Sequence, residues 1–301
     1  MSVTTTLLYY VLLGAACKCG GGFVFAGDEG PVMAEQSPAG VLLFGGAAVP
    51  SFPFSTAEIH RLEPSTGRLS RLPFNLTQGR FFHGAARRPD GSVVAVGGAQ
   101  FVEQQPGGLQ ISVAALDSTE IIDGDGGGAV SGPTLLGRRY IPAVAAVGGD
   151  VYACGGVSNV TDATSILDTC EVLEAGSDRW RLLPNRLPEA LATTAATSVG
   201  RHLYVLGGLP LQGGGGEVQL SDRVWRLDTS EEGGGWEQVA PMASPRFGHR
   251  AAAIEVDGSR YLVVCGMNYG PPEATGGCER YDVARGWLVT LGSYHELIQS
   301  H

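Results

Sequence analysis

A short apolar run that ends in two glycines recurs along this chain and constrains its fold more than any other feature. The copies are VLLFGG at residues 41–46, VVAVGG at 93–98, VYACGG at 151–156, LYVLGG at 203–208 and LVVCGM at 262–267, the last with only one glycine. Their starting positions lie 52, 58, 52 and 59 residues apart. A repeat of roughly 50 residues punctuated by a glycine pair is typical of propeller blades.

Each copy predicts the same local structure. Four consecutive apolar residues, many of them β-branched or aromatic, predict a strand that is buried on both faces. The two glycines predict a sharp turn at a place where a Cβ atom would clash or where φ is positive.

Two further strands complete each copy. The second strand carries a glutamate and ends on an acidic residue; the glutamates are Glu58, Glu120, Glu171 and Glu279, and Trp225 stands in the fourth copy. The third strand carries a tryptophan in the last three copies and an aliphatic residue in the first two; these residues are Trp180, Trp236, Trp287, Leu69 and Val130.

The ordered pattern resembles the kelch repeat over about residues 31–290, including an Arg-x-x-His opening at Arg80 and His83 and again at Arg246 and His249. The resemblance implies an all-β, kelch-type β-propeller with five recognisable repeats. The chain ends within what reads as the first strand of a sixth repeat, where His295 corresponds to His83. We therefore expect six blades if the N-terminal strand closes the ring, and a truncated ring otherwise.

The first 30 residues do not fit the repeat. An apolar run at residues 7–16 has the length of a signal-peptide core, and Val24-Phe25-Ala26 offers a small-residue cleavage site. The same run also reads as a degenerate repeat strand, and it is too short to span a bilayer. We divide the chain into an unassigned segment, 1–30, and a kelch-repeat propeller, 31–301.

The charge balance excludes one class of partner. The formal net charge is −10 and the sequence pI is about 5.0, so no basic surface is available to offset phosphate repulsion, and we expect no nucleic-acid partner. The histidines are scattered and the carboxylates are spread along the strands, so we expect no metal, no cofactor and no catalytic residues. We expect a monomeric propeller with no membrane span.

The cysteines leave the redox state open. Cys154 and Cys265 occupy one repeat position, and Cys170 and Cys278 occupy another on the neighbouring strand. Buried free thiols that pack as small hydrophobic side chains are the favoured reading, and a cross-strand disulfide within each blade is the alternative. A cytoplasmic location is the expectation that accompanies free thiols. The alternative is a secreted location, for which the N-glycosylation sequons at residues 75–77 and 159–161 are weak signals.

Function is expected in the loops that follow the glycine pairs, because residues that recur at a repeat position are structural. Kelch proteins commonly hold a partner on this face, so the resemblance implies a non-catalytic scaffold that recognises a protein or peptide. The alternative is an enzyme on a kelch-like propeller, such as a copper-radical oxidase or a sugar epimerase. The candidate partner-binding residues are Phe52, Phe54, Phe101, Gln104, Gln105, Asn159, Asp162, Gln212, Asn268 and Tyr269.

Overall fold

The computed structural model describes twelve segments of the chain. These are residues 33–37, 40–48, 54–63, 65–103, 111–124, 127–162, 164–211, 219–230, 234–256, 258–265, 278–285 and 287–290. The described residues form strands, turns and loops, and none of them belongs to a helix long and apolar enough to cross a membrane.

The strands are short and follow one another closely. In the first half they are β1 (Met33–Ser37), β2 (Gly40–Phe44), β3 (Ala47–Ala48), β4 (Phe54–Ser55), β5 (Glu58–Glu63), β6 (Arg68–Asn75), β7 (Gly84–Arg87), β8 (Val93–Val96), β9 (Ala99–Glu103), β10 (Ile111–Ala115), β11 (Thr119–Ile122) and β12 (Ala129–Ser131). In the second half they are β13 (Ala143–Val147), β14 (Asp150–Cys154), β15 (Cys170–Leu173), β16 (Arg181–Leu182), β17 (Leu191–Ala192), β18 (Ala195–Val199), β19 (His202–Pro210), β20 (Ser221–Asp228), β21 (Glu237–Val239), β22 (Arg250–Val256), β23 (Ser259–Cys265), β24 (Cys278–Asp282) and β25 (Trp287–Thr290).

Five antiparallel blades account for most of these strands, which confirms the predicted propeller. Blades 1 to 5 have the orders β1-β2-β5-β6, β7-β8-β11-β12, β13-β14-β15-β16, β18-β19-β20-β21 and β22-β23-β24-β25. The first strands of successive blades, from β1 through β7, β13 and β18 to β22, pack side by side. The expected sixth blade and the closure of the ring fall on residues outside those described.

The core lies between blades rather than within one sheet. Val93–Val96 is fully buried along its whole length, as predicted for a strand covered on both faces. One cluster joins Tyr152 and Cys170 of blade 3 to Leu203 and Trp225 of blade 4, and equivalent clusters join the other neighbours. Each blade therefore needs the next one to bury its apolar face.

The glycine pair joins one blade to the next. The N–H of the second glycine donates to a carbonyl at the start of the following blade; the bonds run from Gly46, Gly98, Gly156 and Gly208 to Arg80, Arg139, Leu191 and Arg246, at 2.7, 2.8, 2.8 and 2.7 Å. A Cβ on the first glycine of blade 3 would lie 2.3 Å from the Leu191 carbonyl oxygen. Both glycines of this pair also have positive φ, so the predicted reason for their recurrence is confirmed.

The sequence pattern assigned three residues to the wrong repeat position. Strand pairing puts Ala129, opposite Ile122, in the position of Trp180, so Val130 is shifted by one residue and its side chain is 60% exposed. Trp287 is likewise one residue before the equivalent position, because β25 places Leu288 there. Glu58 precedes the glutamate position, which His60 occupies in blade 1. The loops before the second strands differ in length from blade to blade, which hides the register of Glu58.

The cysteine pairs are disulfides, so the favoured expectation of free thiols is wrong. Cys154 is bonded to Cys170 in blade 3, and Cys265 is bonded to Cys278 in blade 5. In each case the two residues are directly opposed on neighbouring antiparallel strands, with Cα atoms 4.1 and 4.3 Å apart. The shared repeat positions therefore identified the right pairs but not their redox state.

Candidate binding face

The recurring arginines and glutamates form buried ion pairs, as expected of structural positions. Arg80 pairs with Glu120 at 2.7 Å, Arg139 with Glu171 at 3.0 Å and Arg246 with Glu279 at 2.8 Å, and all six side chains are at most 2% exposed. Burial lowers the pKa of Arg80 and of Arg139, and the partner carboxylate opposes that shift. Each of these ion pairs links two segments of a single blade and stabilises it.

Glu58 behaves differently because it lies outside that repeat position. Its carboxylate is 3.1 Å from Arg71 Nε, and both side chains are about a third or more exposed, at 36% and 55%. An exposed pair of this kind contributes little to stability. Three of the four glutamates that the sequence assigned to one repeat position, Glu120, Glu171 and Glu279, are therefore structural.

The recurring histidines are also structural. His83 packs against Phe44 of blade 1, with ring centroids 5.3 Å apart, and it is 4% exposed. Burial, with Arg80 and Arg250 as nearby positive charges, holds its pKa well below the ordinary value. Burial also lowers the pKa of His249 to about 3, assisted by Arg246 and Arg250. Both rings are therefore neutral near pH 7.

The loops that follow the glycine pairs emerge at one end of the molecule, since the strand order is the same in every blade. We call this end the post-glycine face. On blades 2 and 3 its base is a buried aromatic and aliphatic layer, in which Phe81 and Tyr140 are each 1% exposed and Val160 is 4% exposed. Tyr140 is so enclosed that burial raises the pKa of its hydroxyl well above the ordinary value.

Five half-buried apolar side chains cover this layer, and we call them the exposed apolar cluster. They are Phe82, Phe101, Val113, Ile141 and Ile166. The Phe101 ring stacks on Phe81 at 4.7 Å, and the Phe82 ring meets Tyr140 edge-on at 5.8 Å. Side chains from the start of each inner strand and from the post-glycine loops thus form one surface.

Left-handed backbone conformations position part of this cluster. Phe82 and Ile141 both have φ of 50°, and Thr193 and Gly248 hold the same repeat position in blades 4 and 5 with φ of 53° and 60°. A non-glycine residue in this region costs about 1–3 kcal/mol, so the surrounding structure must hold it there. The Ile141 N–H donates to the Phe82 carbonyl at 3.0 Å, which links the two blades at this point.

The structure tests the geometry of only some of the candidate site residues. Phe101 is half-buried and stacked, rather than a freely exposed loop aromatic. Asn159 and Asp162 are exposed in the loop of blade 3, where each side chain accepts hydrogen bonds from the residue two positions later, Thr161 and Thr164. Phe54 begins β4, but its side chain lies outside the described residues, as do Phe52, Gln104, Gln105, Gln212, Asn268 and Tyr269.

Sequence reasoning missed four members of the exposed apolar cluster. Phe82 and Ile141 each follow a buried arginine by two residues, within the opening that was assigned to structure. Their partial exposure depends on the positive φ, for which neither residue type is a signal. Val113 and Ile166 lie on the returning arms of their loops, and the alternation of apolar and polar residues there was the available clue.

The opposite end of the molecule carries a groove of different character. The groove lies between blades 4 and 5, and Arg201, His202 and Arg260 are among the residues that line it. Arg201 is 2.8 Å from Asp228, and Arg260 is 3.5 Å from Glu255. The charges of this groove are thus matched locally. Among the described residues, no three His, Cys, Asp or Glu side chains are grouped so that they could hold a metal ion.

Comparisons with known proteins agree with this architecture. The model of the Kelch motif matches residues 138–186, which contain blade 3. The chain is 28% identical to human Kelch-like protein 25 over 137 residues, or 46% of this chain and 19% of that protein. It is 27% identical to rat Kelch-like protein 38 over 107 residues, or 36% of this chain and 17% of that protein. The matches thus span about a fifth of those relatives.

A solved structure shares the overall fold. The structure of YjhT superposes with a TM-score of 0.68 and covers 89% of this chain and 86% of its own, at 14% sequence identity. At that identity the likeness concerns the fold alone. The repeat positions, the blade architecture and the matched motif agree with one another.

Proposed function

Because this chain carries a Kelch motif on a five-blade β-propeller, we propose that it is a non-catalytic scaffold that holds a protein or peptide partner on its post-glycine face. The observation that carries this proposal is the exposed apolar cluster, in which five half-buried apolar side chains from two neighbouring blades form one surface. A few aromatic and aliphatic anchors of this kind typically contribute most of the affinity of a protein interface.

The cluster is held in place before any partner arrives. Phe101 is stacked on a buried ring, and the loop of blade 3 is closed by a hydrogen bond from Ser158 N–H to the Ser165 carbonyl at 3.0 Å. The Asp162 N–H donates to the Asn159 carbonyl at the tip of the same loop, also at 3.0 Å. A surface that is already ordered loses less conformational entropy on binding.

The proposal is tested with a matched pair of variants in one blade. Partners are captured by cross-linking the chain in the cells that express it, and a purified partner is then titrated against wild type, Ile166→Ser and Leu182→Ser. Ile166 belongs to the exposed apolar cluster, whereas Leu182 is 48% exposed on the outer strand β16. Each variant removes one partly exposed aliphatic side chain.

We expect Ile166→Ser to weaken binding about tenfold or more, which corresponds to about 1.4 kcal/mol. Leu182→Ser should bind like wild type, because its side chain lies away from the post-glycine face. Equal binding by all three proteins, or an equal loss of affinity in both variants, would show that the exposed apolar cluster is not part of the interface. Turnover of a small substrate by the purified chain would instead favour the enzymatic alternative.

A further inference from the structure

One of the two glycosylation sequons sits at the tip of the blade 3 loop. Asn159 and Thr161 are exposed there, while Val160 between them is 4% exposed and packs into the layer below. The loop turns back at this point, as the hydrogen bond from Asp162 N–H to the Asn159 carbonyl shows. A sequon requires this kind of accessible surface loop, because the attached sugar is bulky and hydrated.

The side chains of this sequon are arranged around the asparagine amide. The Asn159 Oδ1 atom accepts hydrogen bonds from the Thr161 N–H at 3.1 Å and from the Thr161 hydroxyl at 2.8 Å. Among the described residues, the Asn159 Nδ2 atom has no hydrogen-bond partner. A hydroxyl that donates to the amide oxygen draws electron density from the amide nitrogen, which makes its proton easier to remove.

The second sequon is built differently. Asn75 ends strand β6 and its Oδ1 atom accepts from Arg71 at 3.3 Å. The Thr77 hydroxyl is 3.3 Å from the Ser131 hydroxyl of blade 2, and the Thr77 N–H donates to Glu120. The arrangement at Asn159 needs contacts only within three residues and so can form in a nascent chain. The arrangement at Thr77 needs partners more than forty residues ahead.

The disulfides supply an independent observation about the compartment. Cys154, Cys170 and Cys278 are at most 1% exposed, and both bonds lie where blade 4 has the apolar pair Leu206 and Val224. Disulfides form and persist in oxidising compartments and are rare in the cytosol. Two structural disulfides therefore favour the secreted alternative over a cytoplasmic location.

We propose that Asn159 is an N-glycosylation site and that this propeller matures in the secretory pathway. The donor is a lipid-linked oligosaccharide diphosphate, supplied by that pathway. A bond forms between Asn159 Nδ2 and the anomeric carbon of the first sugar, the bond from that carbon to the phosphate oxygen breaks, and the lipid diphosphate leaves. The amide nitrogen loses one proton to a base. The glycan stands beside the exposed apolar cluster and limits the directions from which a partner approaches.

The test maps glycans by mass, with no need for a partner. The full chain with its own N-terminus is produced in eukaryotic cells and treated with peptide N-glycosidase F in heavy-oxygen water. This enzyme converts a glycosylated asparagine to a heavy-labelled aspartate. Wild type should carry the label at Asn159. Asn159→Gln and Thr161→Ala should both lose the glycan, whereas Thr161→Ser keeps the hydroxyl and should retain it.

The control variant is Asn75→Gln, which should leave the heavy-oxygen label at Asn159 unchanged. Thermal melts of the four variants establish that each one folds. An unlabelled Asn159 in the wild-type chain overturns the proposal, and so does higher occupancy at Asn75 than at Asn159. Free thiols at Cys154 and Cys170 in the same preparation would contradict the compartment from which the proposal is argued.

Discussion

Blades 3 and 4 fill the same two buried repeat positions with different side chains, a charged pair in blade 3 and an apolar pair in blade 4. In blade 3, Arg139 and Glu171 form a buried ion pair, with Arg139 Nε 3.1 Å from a carboxylate oxygen. In blade 4, Leu191 and Trp225 occupy the equivalent positions and are 0% and 9% exposed. The blades have the same strand order and the same antiparallel pairing.

The backbone explains why these positions accept either a charged or an apolar pair. The Gly156 N–H donates to the carbonyl of Leu191 at 2.8 Å, as the Gly98 N–H donates to the carbonyl of Arg139. This link between blades uses a main-chain atom, so the side chain at that position is free to change. What must be kept is a filled volume with no unpaired polar group. Trp225 meets this requirement because its Nε1 donates to Glu189 at 3.0 Å.

The largest expected effect comes from removing one partner of the buried ion pair in blade 3. Glu171→Ala leaves the Arg139 charge buried without its carboxylate and removes the acceptor of the Leu136 N–H, at 2.7 Å in the wild type. Removing one partner of a buried pair typically costs about 3–5 kcal/mol. We expect a loss of that size in the free energy of unfolding, measured by urea denaturation.

The matching control gives blade 3 an apolar pair, as in blade 4. Arg139→Leu combined with Glu171→Phe removes both charges together and adds no indole N–H, for which blade 3 has Gly137 in place of the acceptor Glu189, so no unpaired charge remains in the interior. The double variant should be more stable than Glu171→Ala by about 2 kcal/mol or more, because replacing a whole buried pair by apolar groups is often nearly neutral. A double variant less stable than Glu171→Ala would show that blade 3 depends on the charges themselves.

The next effect concerns the disulfide that blade 3 has and blade 4 lacks. Cys154→Val combined with Cys170→Val supplies an apolar pair like Leu206 and Val224 in blade 4. A cross-link usually stabilises by about 2–4 kcal/mol, so urea unfolding should show a loss within that range. In unreduced, denatured wild type, a thiol reagent should label neither Cys154 nor Cys170. Labelling of both would contradict the disulfide.

Acid should distinguish the blades that carry a buried histidine from those that do not. His249 of blade 5 corresponds to Thr194 of blade 4, and its folded pKa of about 3 lies below the ordinary value of 6.5. The unfolded chain therefore takes up the proton first, so the stability present above pH 6.5 is lost as the pH falls towards 3. Between pH 7 and pH 5 the loss from this ring is about 2 kcal/mol.

His249→Thr should remove that part of the pH dependence. The free energy of unfolding of wild type and of His249→Thr is measured at pH 7 and at pH 5. The difference between the two proteins at pH 7 is then compared with their difference at pH 5. His83 remains in both proteins and cancels. A difference that stays constant with pH would mean that His249 is not held neutral by burial.

The smallest effect is expected from a pair on the surface of blade 3 itself. Arg181 and Glu174 are 2.7 Å apart, as close as many buried pairs, but their side chains are 53% and 49% exposed. Glu174→Ala should change the free energy of unfolding by about 1 kcal/mol or less, and added salt should reduce the change further. A loss equal to that of Glu171→Ala would contradict the role given to burial.

The fold could be predicted because its signal is local and repeated. A glycine pair is required where a carbonyl of the next blade approaches, and four such pairs in order, with a fifth copy of the apolar run, identify the architecture. The exposed apolar cluster was harder to predict from the sequence, because Phe82 and Ile141 owe their position to a positive φ and to packing across blades. The disulfides illustrate a third limit, since opposed cysteines on neighbouring strands are compatible with both redox states.

Hydrogen exchange in the presence of a purified partner tests the proposed binding face most directly. Amides of β10 and of residues 157–162 and 164–166 surround the exposed apolar cluster, while residues 148–149 and 200–201 form turns at the other end of blades 3 and 4. The proposal predicts that the partner slows exchange in β10 and in this loop of blade 3 and leaves the two turns unchanged. Protection of the turns, with unchanged exchange on the post-glycine face, would contradict it.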